Sequence, residues 1–148
     1  MFCSFLVSEK TFRIFGNLYM NSFTGVPACV KIYVHKIKHK HGGSTEKEVA
    51  SVKFDHPEVK NGKYGYSITF KPSGDTSLER YYQVKAFVNV QSCLQGEHIT
   101  EGDFYTEGGV NIATWTNKIT EKEMDITMLQ VPRTSRPPSP GKYLFISR

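Results

Sequence analysis

Strict alternation of apolar and polar residues is the feature of this sequence that most limits its fold. The segment Lys63–Lys71 alternates throughout, with apolar side chains at Tyr64, Tyr66, Ile68 and Phe70. The segment Tyr81–Gln91 repeats the pattern, with one apolar face at Tyr82, Val84, Ala86, Val88 and Val90. A period of two residues is that of a β-strand with one buried face. The sequence therefore predicts two half-buried strands, and only Phe87 interrupts the polar face of the second.

Three earlier segments alternate in the same way: Phe12–Met20, Val30–Val34 and Ala50–Phe54. Turn-forming residues separate the five segments at 25–27, 41–44, 60–62 and 72–75. Glycine accepts positive φ there, and proline removes a hydrogen-bond donor from a sheet. The first part of the chain is thus predicted to be a series of strands joined by turns.

The strands after Gln91 are shorter and less regular. Candidates lie at Asp103–Thr106 and Asn111–Trp115, a final strand spans Asp125–Val131, and a capping-box pattern predicts one helical turn over Thr120–Glu123. About seven short strands without a long helical stripe predict an all-β chain. We expect a single antiparallel β-sandwich, immunoglobulin-like or transthyretin-like, with little helix.

The domain organisation follows from length and composition. A chain of 148 residues is long enough for one domain with its own core. The strand pattern places the β-sandwich domain at residues 11–131, after an N-terminal extension at residues 1–10. Proline, serine and arginine dominate residues 132–148 and cannot build a core, so this segment is predicted to be a flexible tail.

Cysteine usage and the N-terminus bear on the compartment. Cys3, Cys29 and Cys93 lack the C-x-x-C spacing of a zinc site, and their odd number leaves at least one free thiol. Whether Cys29 and Cys93 pair stays open at this point. The apolar start lacks a basic region, and no stretch approaches the ~18 apolar residues of a membrane helix. The sequence predicts a soluble cytoplasmic protein, or a secreted one if a leader precedes Met1.

The densest positive charge lies between Lys31 and His41, in a chain whose formal net charge is +5. A line of lysines on an extended strand suits anionic partners such as a sulfated glycan, an acidic lipid or nucleic acid. The candidate anion-binding residues are Lys31, His35, Lys36, Lys38, His39, Lys40 and His41. The alternative is an edge strand and loop whose lysines block pairing with other chains.

Metal and catalytic sites have little support. The histidines of the basic segment are His35, His39 and His41, and no cysteine or carboxylate lies at ligand spacing beside them, so no metal site is predicted. The acidic residues that cluster after Gly96 are Glu97, Glu101, Asp103 and Glu107. Catalysis by paired carboxylates requires a cleft, and without one these residues form a solvated loop. No nucleophile or phosphate-binding motif occurs, so we expect neither enzymatic activity nor a cofactor.

Aromatic residues in polar positions of the strands suggest a partner surface. The candidates are Tyr33, Tyr81 and Phe87, together with Phe15. An exposed apolar patch of this kind marks a site where another protein binds. The alternative is that these side chains pack against other parts of the same chain.

Several segments resemble a known family. They are 82–88, 102–106 and 124–129, preceded by 12–23, Gly25-Val26-Pro27 and 30–34. They are similar to the YbaY/YscW-type lipoproteins of the type III secretion pilotin class, over residues 11–131. The resemblance implies a small β-sandwich that binds another protein and does not convert a substrate. The family's acylated cysteine is not carried over, because no lipobox precedes Cys3.

The function favoured by the sequence is therefore that of a non-enzymatic binding module. It would hold a protein partner through a sheet face or edge, in a protein–protein interaction or as a chaperone-like protein. The alternative is anion binding through residues 31–41.

Overall fold

The computed structural model describes residues 11–40, 42–71, 81–112 and 121–133. These residues form strands and connections, and none belongs to a helix long and apolar enough to cross a membrane. The strands are β1 (Phe12–Tyr19), β2 (Cys29–Lys40), β3 (Gly43–Asp55), β4 (Lys63–Phe70), β5 (Tyr81–Asn89), β6 (Phe104–Tyr105), β7 (Val110–Ile112), β8 (Glu121–Glu123), β9 (Ile126–Thr127) and β10 (Leu129–Gln130). The predicted extension at 1–10 and most of the predicted tail lie outside the described residues.

The strands form two sheets that pack face to face. The smaller sheet has the order β4-β1-β8, and β9 also pairs with β1. The larger sheet has the order β10-β6-β5-β2-β3, and β7 also pairs with β5. The predicted all-β sandwich is confirmed. Pairing is antiparallel except that β8 and β9 run parallel to β1.

The hydrophobic core lies between the sheets and contains the apolar faces that the alternation predicted. Within the smaller sheet, Phe12 lies opposite Phe70 and Ile14 lies opposite Ile68. The ring of Phe70 contacts that of Tyr82 in the larger sheet, with centroids 5.1 Å apart. Removing this apolar surface from water stabilises the pair of sheets by roughly 25 cal/mol per Å².

Strands β2 and β3 are longer than the alternation indicated. They form one hairpin, in which the register shifts between Val34 and His35 of β2. Beyond that shift the side chains are mostly polar or charged. Pairing between the two strands keeps the backbone extended there, although neither strand has an apolar face. Alternation marks only strands with one buried face, so it predicted strands at Val30–Val34 and Ala50–Phe54 alone.

The predicted helical turn over Thr120–Glu123 is wrong. Glu121–Glu123 is strand β8, which pairs in parallel with Arg13, Ile14 and Phe15 of β1, while Thr120 lies outside the described residues. The Arg13 guanidinium and the Glu121 carboxylate are 3.2 Å apart across this pairing. A capping box is a local signal, and here the backbone partners offered by β1 outweigh it.

The single strand predicted at Asp125–Val131 is wrong as well, because the chain changes sheets within it. β9 pairs with β1 of the smaller sheet, and β10 pairs with β6 of the larger sheet. Between them, Met128 is 3% exposed, so its side chain fills the core at the crossing. The local sequence pattern carries no sign of such a crossing.

Gly16 allows the segment after β8 to approach β1 closely. A Cβ atom at Gly16 would lie 2.1 Å from the carbonyl oxygen of Met124. Three hydrogen bonds hold the segment there: Tyr66 Oη donates to that same carbonyl at 2.7 Å, the Asn17 amide donates to Asp125 Oδ1 at 2.8 Å, and the Met124 amide donates to the Phe15 carbonyl at 2.7 Å. Only a residue without a side chain fits at position 16.

We expect Gly16→Ala to lower the free energy of unfolding by about 2–3 kcal/mol, because a backbone carbonyl cannot move aside as the end of a side chain can. Chemical denaturation measures the loss. Gly65→Ala on β4 is the matched control, since its Cβ would lie 3.7 Å from Asn17 Oδ1, an ordinary contact. Equal losses in the two variants would contradict the close approach.

Burial raises the pKa of Tyr66 well above its usual range, and the charge of Asp125 raises it further. The folded protein therefore keeps a proton that the unfolded chain releases above about pH 10, so stability is complete below that pH and falls above it, by up to about 1.4 kcal/mol per pH unit. We expect the unfolding free energy of the wild type to fall more steeply with rising alkaline pH than that of Tyr66→Phe. Parallel curves for the two proteins would show that Tyr66 does not contribute.

Candidate functional site

The outer face of the larger sheet, on the side away from the core, carries most of the residues that the sequence singled out. On β2, Lys31, Tyr33 and His35 lie on this face, and the residues between them lie in the core. On β5, Lys85 and Phe87 lie beside them. The rings of Tyr33 and Phe87 meet edge to face, with centroids 5.9 Å apart. Aromatic and charged groups thus share one surface.

Residues 91–103 form a connection that folds back over one end of this face. A disulfide joins Cys93 of the connection to Cys29 at the start of β2, with Cα atoms 5.5 Å apart. Because the bond spans 64 residues, it restricts the unfolded chain and contributes about 2–4 kcal/mol to stability. The pairing that the sequence left open is thus Cys29 with Cys93, and Cys3 lies outside the described residues.

Lys31 attaches the same connection to β2 through backbone carbonyls. Its Nζ donates to the oxygen of Leu94 at 2.9 Å and to that of Gly96. The residue is only 3% exposed. Desolvation lowers the pKa of Lys31, whereas the charges of Asp103 and Glu97 raise it. Two of the three ammonium donors therefore hold residues 94–96 in place.

Asp103 closes the far end of the connection. Its carboxylate accepts hydrogen bonds from the Asn89 side chain at 3.0 Å, the Val90 amide at 2.9 Å and the Thr100 amide at 2.8 Å. The residue is 3% exposed. This buried carboxylate thus fixes the backbone at both ends of the connection.

His35 lies between two carboxylates from different elements. Its Nδ1 contacts Glu46 Oε2 of β3, and its Nε2 is 3.6 Å from Glu97 Oε2 of the connection. Lys85 Nζ also contacts Glu46 Oε2, at 2.9 Å. Hydrogen bonds from Lys85 and His35 lower the pKa of Glu46, although partial burial opposes them. Glu46 thus has two partners within the chain, whereas the buried His35 Nε2 has no hydrogen-bond partner among the described residues.

An open cleft of about 610 Å³ lies between the connection and strand β3. Its lining includes Lys31, Tyr33, Ser51 and Lys53 from the sheet, with Leu94 and Gly96 from the connection. The two lysines are the only charged residues in this lining, which consists entirely of described residues. The cleft therefore combines positive charge with one aromatic wall.

Beside the cleft, β3 is the outermost of the described strands of the larger sheet. On its core side, Val52 and Phe54 are only partly buried, as is Tyr64 on the neighbouring strand β4. The rings of Phe54 and Tyr64 meet edge to face, with centroids 5.6 Å apart. Within the described part of the chain, the sandwich is thus open on this side, where apolar side chains reach the surface next to a strand edge.

The candidate anion-binding residues do not lie together on one face. Lys31 and His35 point to the outer face, whereas Lys36 and Lys38 alternate to the other side, and Lys36 is 8% exposed. Only the backbone of His39 and Lys40 is described, and His41 lies outside the described residues. The alternative of an edge strand is wrong for Cys29–Ile37, because these residues of β2 lie between β3 and β5. Anion binding by the segment stays a prediction.

The candidate partner-surface residues are divided between the sheets. Tyr33 and Phe87 are in contact, but Phe87 is 7% exposed. Phe15 belongs to the smaller sheet, where the Arg13 guanidinium lies over its ring. For Tyr81 only the backbone is described. No group of three or more His, Cys, Asp or Glu residues in the described part of the chain is placed to hold a metal ion.

Sequence reasoning missed the open edge of β3. Residues 43–48 are polar and charged, and carry no apolar period that would mark them as a strand. The order of strands in a sheet is set by contacts between distant segments, so no local pattern shows which strand is outermost. The two glycines at 42 and 43 were the one usable signal, since they mark the tip of the hairpin.

No protein-family model and no curated protein sequence matches this chain. A solved structure does match it: an alternative pilotin from the type II secretion system of Vibrio cholerae, with a TM-score of 0.51. The two chains are 13% identical, and the match covers 82% of this chain and 99% of the other. At this identity the likeness shows the fold alone. The chain has a pilotin-like fold, and the narrower resemblance to YbaY/YscW-type lipoproteins stays a prediction.

We expect Asp103→Ala to lower the free energy of unfolding by about 2–4 kcal/mol, because it leaves several buried donors without an acceptor. Amide hydrogen exchange gives the local readout: protection at Val90 and Thr100 should fall more than protection in β1. Glu107→Ala is the control, since this nearby carboxylate is exposed. Unchanged protection at Val90 and Thr100 in Asp103→Ala would contradict the anchoring role.

Proposed function

We propose that this chain is a non-enzymatic protein-binding domain that binds an extended segment of a partner along the free edge of β3, the side that faces away from β2. The observation that carries the proposal is the position of β3. It is the outermost strand of its sheet and 13 residues long, and no described strand pairs with its free edge. An extended peptide added to such an edge gains main-chain hydrogen bonds along its length.

The open side of the sandwich adds a reason for specificity. In an added strand, alternate side chains would point toward the core side and cover the half-exposed surface of Val52, Phe54 and Tyr64. Burial of apolar area is the main source of affinity in such a complex. Main-chain hydrogen bonds would align the partner segment with β3, and contacts with the apolar side chains would select the partner sequence.

The two halves of β3 differ in their suitability for pairing. Glu46, Lys47 and Glu48 are exposed on the half beyond the register shift. Charges and bulges on an edge strand discourage pairing with other chains. The half from Ala50 to Asp55 keeps a regular register with β2 and lies beside the cleft. We therefore assign the partner segment to this half.

The pilotin-like fold supports a protein-binding or chaperone-like role. A pilotin is a component of a secretion system, and its fold here is shared over most of this chain. The carboxylate that the connection buries, Asp103, is used to hold the backbone. Both observations fit a domain that binds a partner and does not convert a substrate.

The proposal predicts that peptides of about nine residues, selected from a random display library on the full chain, alternate apolar and polar residues. Their binding should weaken by at least about tenfold in Val52→Lys, because an inward-pointing charge on an edge strand opposes strand addition. Thr45→Lys, on the distal half of β3, is the matched control and should bind as the wild type does. Binding is measured by fluorescence anisotropy, and thermal unfolding confirms that each variant is folded.

Two outcomes would overturn the proposal. One is the selection of peptides without a two-residue period; the other is equal binding by wild type and Val52→Lys. If Val52→Lys does not fold, Ala50→Lys tests the same side of the strand, since Ala50 is also only partly buried. Sedimentation velocity is run in parallel to detect dimerisation of the chain. If the chain dimerises, Val52→Lys abolishes the dimer and no peptide binds to the wild type, the occupant of the β3 edge is a second copy of this chain and not a partner.

A further inference from the structure

We propose that the partner segment is acidic: on the face away from the core it carries Asp or Glu side chains that enter the cleft beside Lys31 and Lys53. This inference rests on the proposed function, because it assumes that an extended segment lies along β3. The proposed function gives the position of the partner segment, and this inference adds the charge of its side chains.

The charge of the cleft is the first argument. Lys31 and Lys53 belong to adjacent strands, in register with each other, and both line the cleft. No carboxylate is part of that lining, which lies wholly within the described residues. Burial is the main cause that lowers the pKa of Lys31; the charges of Asp103 and Glu97 raise it, and the charge of Lys53 lowers it least of all. A carboxylate placed in the cleft would bring negative charge to both ammonium groups.

Lys53 is the group most available to a ligand. Its side chain is 56% exposed, and its ion pair with Asp55 is long at 3.7 Å. Lys31 is already attached to the carbonyls of Leu94 and Gly96, so it contributes a fixed charge more than a mobile donor. Together they present one mobile and one fixed positive charge at the same opening.

Strand geometry brings an added segment to these charges. Neighbouring strands lie about 4.8 Å apart, and side chains that are directly opposite interact across the pair. An outward-pointing side chain opposite Lys53 or Ser51 would therefore lie at the mouth of the cleft. The next outward position, two residues along, would lie beside the same opening.

A second charged group lies on the outer face. Glu46 contacts both His35 and Lys85, and Glu97 lies 3.6 Å from His35. Each of these carboxylates already has a lysine or a histidine ring beside it, whereas no carboxylate lines the cleft beside Lys31 and Lys53. Opposite charge across an interface mainly selects the partner and its register.

The test uses three synthetic peptides of about nine residues with the same apolar positions and with Glu, Ser or Lys at every outward position. Binding to the full chain is measured by fluorescence anisotropy at low and at moderate salt. We expect the Glu peptide to bind about tenfold more tightly than the Lys peptide at low salt, and the difference to shrink as salt rises.

Lys53→Glu should reverse the preference, so that the Lys peptide binds more tightly than the Glu peptide. Lys47→Glu is the matched control: it makes the same charge change on the exposed distal half of β3, away from the cleft, and should leave the preference unchanged. Thermal unfolding verifies the fold of both variants. If Lys53→Glu does not fold, Lys53→Gln takes its place and should reduce the preference to near equality.

The outcomes separate the inference from the proposal beneath it. If all three peptides bind equally, and Val52→Lys abolishes that binding, strand addition stands and the acidic preference is wrong. If none of the three binds, both are wrong. If the preference for Glu persists unchanged in Lys53→Glu, the charge that selects the segment is not in this cleft, and the inference is overturned.

Discussion

Strand β2 holds the larger sheet together through its pairing with β5 on one side and β3 on the other. Over Cys29–Ile37 its backbone is hydrogen-bonded to both neighbours, so its alternation decides which side chains meet the core and which meet the outer face. Two residues of β2 then position the connection at 91–103. Cys29 forms the disulfide with Cys93, and Lys31 donates hydrogen bonds to two backbone carbonyls of the connection. A slip of one residue would reverse both faces and remove every anchor at once.

The smaller sheet depends in a comparable way on β1. It has β4 as an antiparallel neighbour on one side and the parallel strands β8 and β9 on the other. The segment carrying β8 and β9 reaches its place only because Gly16 leaves room for the Met124 carbonyl. From there the chain crosses at Met128 to the larger sheet, so this one segment links both layers.

The parts of the fold that could be predicted are those in which burial leaves a local period. The alternating faces of β1, β4 and β5 were visible in the sequence because each strand has one side in the core. The distal hairpin of β2 and β3 was not, since neither face there is apolar. The turn predicted at Thr120–Glu123 failed for a related reason: its pattern describes a helix start, and its partner in the structure, β1, lies about a hundred residues earlier in the chain.

The arrangement of the candidate residues could be predicted from the sequence only within a single strand. Alternation correctly separated Lys31 and His35 from the core residues of β2. The return of residues 91–103 then buried Lys31, and Lys36 fell in the register of the core, so these two lysines lie on opposite faces of β2. Which strand is outermost follows from sheet order, which depends on pairing between distant segments.

The connection at 91–103 also bears on the binding that we propose at the edge of β3. The wall of the cleft facing β3 is held by a disulfide, by Lys31 and by Asp103, so it is already ordered before a partner arrives. A loop that becomes ordered on binding loses conformational entropy, which opposes association. Here the loop is already ordered when the chain folds, so binding does not carry that cost. What remains for a partner to supply is an extended backbone for β3, apolar side chains for Val52 and Phe54, and negative charge for Lys53.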